Sequence, residues 1–122
     1  MVENKYDENE GILYVKVEGV VGIEQMINAI DGLGNNNNLS RNLKILEDAR
    51  EAYITLSVND VPLIFEKLKI NLKNYKSLKH AVIHTDPLAT AMAYLVENEN
   101  NIENYKFAVF NTEQAARKWL KN

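Results

Sequence analysis

Three groups of polar residues stand directly behind apolar runs: Asp48 and Arg50 behind Leu43-Lys44-Ile45-Leu46, His84 and Thr85 behind Ala81-Val82-Ile83, and Asn111 behind Phe107-Ala108-Val109-Phe110. In an open α/β sheet, ligands bind beyond the carboxyl ends of the parallel strands. If the three runs are strands, these five residues converge on one small polar pocket. There the planar fork of Arg50 would hold an anion, and Asp48 or the imidazole of His84 would move a proton. The same residues also have plainer roles, because Asp48 and Arg50 can pair with each other or with loop backbone, and His84 can be a solvated strand-end residue. Ser57 offers a hydroxyl for phosphorylation, although a serine ahead of a helix commonly bonds nearby backbone instead. The histidines are His80 and His84. Four residues apart on a strand they would share a face but stand ~13 Å apart at ~3.3 Å per residue, too far to share a metal. No metal site and no cofactor is expected. Glycine-rich phosphate loops, Gly-x-Ser-x-Gly elbows and His-Glu-x-x-His motifs are absent, which leaves an enzyme acting on an anionic substrate as the weakest reading.

The elements that must position these residues are legible in the apolar spacing. Leu13, Val15 and Val17 alternate with Tyr14, Lys16 and Glu18, the period of two that predicts a strand over Gly11–Glu18. Asn4–Tyr6 and the polar stretch Asp7-Glu8-Asn9-Glu10-Gly11 read as a short strand and turn, so the chain should open with a hairpin. Ile23, Met26, Ile27, Ile30 and Leu33 follow helical spacing, with an expected end at Gly32 and Gly34 before a surface loop of four asparagines, Asn35–Asn38. Leu43, Ile45 and Leu46 predict a second core strand closing at Glu47-Asp48-Ala49-Arg50.

The second helix is expected from about Asp60 to Tyr75, with Val61, Ile64, Phe65, Leu68, Leu72 and Tyr75 inward. Pro62 belongs in its first turn, which makes Asn59 or Asp60 the cap and argues against a start at Ser57. Ser77–His84, with its continuous Ala81-Val82-Ile83, reads as a strand covered on both faces in mid-sheet. Asp86-Pro87 then caps and opens a helix with Leu88, Ala91, Met92 and Leu95 inward. Phe107–Phe110 is the last strand, and Asn111-Thr112-Glu113-Gln114 starts a final helix that Trp119 closes onto the sheet. Repeated strand–helix alternation implies an α/β fold with a mostly parallel sheet and right-handed crossovers, in one domain over residues 1–122.

Charge and composition narrow the partners. A net charge of −3 gives no basic footprint, so nucleic acid is not an expected partner. Lys67, Lys69, Lys73, Lys76 and Lys79 would suit an anionic membrane surface or, more simply, a solvated helix face. The absence of cysteine removes disulfides, thiolate metal sites and cysteine nucleophiles. The start of the chain is polar and acidic, unlike a secretory signal, and no apolar run reaches the roughly 20 residues of a membrane span. A cytoplasmic location is the expectation.

Two stretches, Leu46-Glu47-Asp48-Ala49-Arg50 and Val109-Phe110-Asn111-Thr112-Glu113-Gln114-Ala115-Ala116-Arg117-Lys118-Trp119-Leu120, resemble the SpoIIAA-like (STAS-like) family of small bacterial proteins, as does Pro87 with Thr90-Ala91-Met92-Ala93. The resemblance implies a mixed sheet of about five strands, with the N-terminal hairpin antiparallel and four helices packed against it. The better-known relatives, the anti-sigma-factor antagonists, bind a partner kinase and are phosphorylated on a serine at the start of the second major helix, in a motif such as Asp-Ser-Ser-Gly. The corresponding stretch here is Thr55-Leu56-Ser57-Val58-Asn59-Asp60, with one serine and no glycine. The expectation is a non-enzymatic regulatory module with a protein partner or as a homodimer. A carrier of a lipid or small apolar ligand, as in the similar SEC14-type sheets, is the alternative.

Overall fold

A computed structural model describes residues 2–122. The opening hairpin is fixed by its turn: Asp7 accepts hydrogen bonds through Oδ1 from the amides of Asn9 (2.9 Å) and Glu10 (3.2 Å), and Gly11 closes it at φ +66°. That left-handed conformation is one that glycine adopts without steric cost. The turn joins β1 (Val2–Asp7) antiparallel to β2 (Ile12–Val21), which extends past the expected strand at its carboxyl end.

The chain continues through α1 (Ile23–Asn35), β3 (Asn42–Ile54), a 3₁₀ turn (Val58–Asp60), α2 (Val61–Asn71), β4 (Ser77–Ile83), α3 (Pro87–Glu99), β5 (Tyr105–Phe110) and α4 (Glu113–Lys121). Strands lie in the order β1-β2-β3-β4-β5, and all pairs after the hairpin are parallel. The fold class expected from the sequence is thus the one observed, a five-stranded mixed sheet with four helices.

Strand alternation divides the core in two. Leu13, Leu43, Ile45 and Leu78 meet Ile30 of α1 and Ile64 and Leu68 of α2, while their neighbours Ile12, Leu46, Ala81 and Ile83 meet Ala116 and Leu120 of α4. Successive residues of a strand point to opposite faces, so α4 covers the face that α1 and α2 leave bare. β4 is interior and buried on both sides, as expected.

Several boundaries differ from the sequence reading. β3 does not close at Arg50 but runs to Ile54, paired beyond Asp48 with β2 alone, after an irregularity opposite Lys16 and Glu18. The second helix starts at Val61, after a 3₁₀ turn in which Asp60 Oδ2 accepts from the Ser57 amide at 2.9 Å. Ser57 and Asp60 therefore organise the turn while Pro62 keeps its place in the first turn of α2. That helix ends at Asn71, although Leu72 and Tyr75 are still buried beyond it. Asp86 caps α3 as expected, accepting from Ala89 N at 2.9 Å, but the buried positions are Ala89 and Ala93, with Leu88 and Ala91 outward.

Helix α1 also runs through both of its glycines to Asn35 instead of ending at them. Gly34 is there for space: a Cβ would collide with the side-chain oxygen of Asn71 and come within 2.8 Å of its Cγ. Asn71 is held in that place, donating from Nδ2 to Asp31 Oδ1 and to Lys67 O, each at 2.9 Å. Alanine in a helix normally gains about 1 kcal/mol over glycine. At position 34 the sign should reverse, with Gly34→Ala costing about 1–3 kcal/mol through overpacking. Urea unfolding of Gly34→Ala and of Gly34→Ala/Asn71→Ala checks this, the second change restoring most of the loss.

Candidate functional site

The register places Asp48, Ile83 and Phe110 level across β3, β4 and β5, so the chain leaves the sheet at His84 and Asn111 side by side. The His84 amide donates to Phe110 O at 2.9 Å and locks the two exits together. His84 and Thr85, followed by Asn111, line a cleft of about 420 Å³ with Pro87, Thr90, Ala91 and Tyr94 of α3. Three of the five residues expected at the strand ends therefore do converge. His84 is 5% exposed, and no hydrogen bond ties its ring to another described residue. Burial lowers its pKa below the ordinary 6.5, against the opposing pull of Glu47, Asp86 and Asp48, so the imidazole is neutral at pH 7.

Asp48 and Arg50 do not join that cleft. Because β3 continues past them they are strand residues, not strand-end residues, and they grip each other. Arg50 Nε donates to Asp48 Oδ1 at 2.9 Å, its Nη2 to Oδ2 at 2.7 Å, and its amide to Oδ1 at 3.2 Å. The Arg50 hydrogen bond holds the Asp48 carboxyl below its usual range. A guanidinium fork closed on its own carboxylate is not free to hold an anion. Asp48 instead lines a hollow of about 260 Å³ on the α4 side, with Tyr14, Lys16, Glu113 and Arg117 among its walls. Arg117 pairs there with Glu113 at 2.7 Å and donates to the Tyr14 hydroxyl at 3.1 Å.

One polar cluster escaped the sequence reading. On the α1/α2 side of the sheet, His80 Nε2 lies 2.8 Å from Glu47 Oε1 and Nδ1 lies 3.1 Å from the Tyr105 hydroxyl. Its ring sits edge-on to Phe107, with centroids 5.2 Å apart. A carboxylate only accepts, so Nε2 carries the proton toward Glu47 and Nδ1 accepts from the Tyr105 O–H, an arrangement that uses every group once. Burial alone would raise the Glu47 carboxyl, but the hydrogen bond from His80 and the pull of His80 and His84 leave it below its ordinary 4.5. Burial pushes the Tyr105 phenol well above its ordinary 10.0. With both ring nitrogens engaged, His80 has no lone pair to offer a substrate, and the cluster acts as a cross-strand tie. Its signal was present in the alternation, which puts His80 between Leu78 and Val82 and Glu47 between Ile45 and Ala49, all on buried faces.

The remaining candidates are placed as follows. Ser57 is exposed just ahead of α2, with its Oγ 3.4 Å from Asp60 Oδ2, where an added phosphate would meet a like charge. Of the lysine group only Lys67 and Lys69 lie on α2, Lys73 and Lys76 fall beyond its end, and Lys79 is on β4 with its Nζ over the Trp119 ring at 4.6 Å and donating to Trp119 O at 2.8 Å. Trp119 packs on Phe110 and closes α4 onto the sheet. No helix among the described residues is long and apolar enough to cross a membrane.

No protein-family model matches the chain, and no curated protein matches it. Solved structures do. An uncharacterised protein of the DUF3478 family with a SpoIIAA-like fold, from Shewanella loihica PV-4, superposes with a TM-score of 0.60 at 18% identity, covering 98% of this chain and 92% of that one. The anti-sigma factor antagonist SpoIIAA in its unphosphorylated form superposes with a TM-score of 0.53 at 10% identity, over 100% and 99% of the two chains. The chain thus has the SpoIIAA-like, STAS-type fold, as its sequence resemblance implied.

Proposed function

We propose that the protein is a non-enzymatic regulatory module of the STAS type, acting in the cytoplasm, which presents the carboxyl end of its sheet to a protein partner. The observation that carries this is where its large apolar side chains are exposed. Val20 (66%) and Tyr53 (67%) are paired neighbours at the tips of β2 and β3. Val58 (63%) and Leu63 (38%) lie on the segment that leaves β3, and Leu88 (76%) is in the first turn of α3, which leaves β4. Apolar side chains scattered singly over a surface need no explanation, but their gathering at one end marks an interaction site. The likeness to an anti-sigma factor antagonist, a protein whose role is to engage another protein, supports the same reading.

A photo-cross-linking residue placed at Tyr53 or at Leu88, in cells that naturally make the protein, tests the proposal. A discrete adduct with one protein, a second copy of this chain included, is expected at both positions. None is expected at Ile70, which is also exposed (54%) but sits toward the far end of α2. The same background at all three positions would remove the basis for the reading.

A further inference from the structure

We propose that the cleft between His84 and α3 is a binding site for a small, uncharged ring molecule whose polar group can both donate and accept a hydrogen bond. This goes beyond the protein-contact surface and does not depend on it. The first ground is His84 itself. Its side chain is almost wholly buried, yet its ring makes no hydrogen bond within the described residues. No fully buried side-chain nitrogen or oxygen among those residues is left without a partner, so the unbonded ring nitrogens of His84 keep some access to the surface, and His84 lines the cleft. A neutral imidazole presents one N–H and one lone pair on diverging sides of its ring, so a carboxamide, which both donates and accepts, can pair with whichever nitrogen faces it.

The walls set the rest of the ligand. Tyr94, Ala91 and Pro87 give an apolar side on which a ring can lie, and Thr90 and Asn111 add hydroxyl and amide groups. No charged residue lines the cleft. The carboxylates whose fields reach His84 are Glu47, Asp86 and Asp48, and each is already engaged, by His80, by the Ala89 amide and by Arg50 respectively. An anion would meet only like charge, and a cation would find no carboxylate in the lining to offset its desolvation. At about 420 Å³ the space falls in the lower part of the range for small-molecule sites.

Benzamide and its charged isosteres benzoate and benzamidine, titrated separately into the full chain at pH 7.5 and followed by NMR, provide the test. Benzamide should shift the His84 ring nitrogens and the Thr90 and Tyr94 signals in a saturable way and leave the His80 ring unmoved. Both isosteres should bind at least about fivefold more weakly. His84→Phe should weaken benzamide about tenfold, the loss expected for its buried hydrogen bonds. Tyr94→Ala, at a half-exposed position, probes the same wall without touching the core and should weaken it about threefold. The proposal is overturned if benzamide does not saturate, if either isostere binds as tightly, or if folded variants bind benzamide as wild type does.

Discussion

Replacing His80 with alanine should destabilise the fold by about 3 kcal/mol, the scale of breaking a buried, hydrogen-bonded charged group away from its partner. The loss falls on two strands at once. Glu47 on β3 would keep a carboxylate whose side chain is only 20% exposed, and Tyr105 on β5 would lose the acceptor for its hydroxyl. Glu47→Gln should cost far less, because its amide oxygen can still accept from Nε2. Urea midpoints measured at pH 7 for the two variants check the ranking, and equal losses would mean that the charge of the Glu47 carboxylate, not the hydrogen bond it accepts, holds the cluster.

The same measurement repeated against pH should show two acid limbs. His84 and Glu47 both have pKa values lower in the folded protein than their ordinary 6.5 and 4.5. A group of that kind contributes its stability fully above its unfolded value and loses it as pH falls through the folded one. Stability should therefore decline below about pH 6.5 through His84 and again below about pH 4.5 through Glu47. His84→Phe should erase the upper limb alone, and Glu47→Gln should shrink the lower one to the part that Asp48, also held below its ordinary 3.8, contributes.

Leu120→Ala should have an effect of similar size, about 3 kcal/mol. Leu120 is 1% exposed and packs with Ile12, Leu46, Ala81 and Ile83. The loss is more than a cavity, because α4 has only nine residues and a helix of that length is not stable unless docked. Trp119, on the same helix, reports the outcome directly. A red-shifted tryptophan emission under native conditions, with a lower urea midpoint, is the expected signature, and an unshifted emission would mean that the face re-collapses around the smaller side chain.

How much of this could be read from the sequence depended on whether the signal was periodic. The hairpin, the alternation of strands and helices, and the caps at Asp86 and Thr112 follow from residue spacing and hydrogen-bonding chemistry, and they stand as expected. The far half of β3 was hidden because Glu47-Asp48-Ala49-Arg50-Glu51 looks like a polar exit, and the register irregularity there breaks the period of two. The inward face of α3 was misjudged because small residues, Ala89 and Ala93, are the buried ones, while the larger Leu88 is left outside. Of the site, His84, Thr85 and Asn111 were placed by topology alone. Asp48 and Arg50 were not, because β3 runs on past them to Ile54 and keeps them inside the strand, away from its end. The Glu47–His80–Tyr105 tie needs the pairing register of three strands, which a single sequence does not carry.

The position of α4 also bears on how the chain assembles. The hairpin and each strand-to-strand crossover join neighbours, so those parts can form in order as the chain emerges during synthesis. The face formed by Ile12, Leu46, Ala81 and Ile83 has to wait, since its cover is Glu113–Lys121, and the bond from Arg117 to Tyr14 spans 103 positions. Until Glu113–Lys121 leave the ribosome, a nearly complete sheet stands with one greasy side bare. That interval is when a nascent chain of this design is most exposed to sticking to its neighbours and most in need of a chaperone.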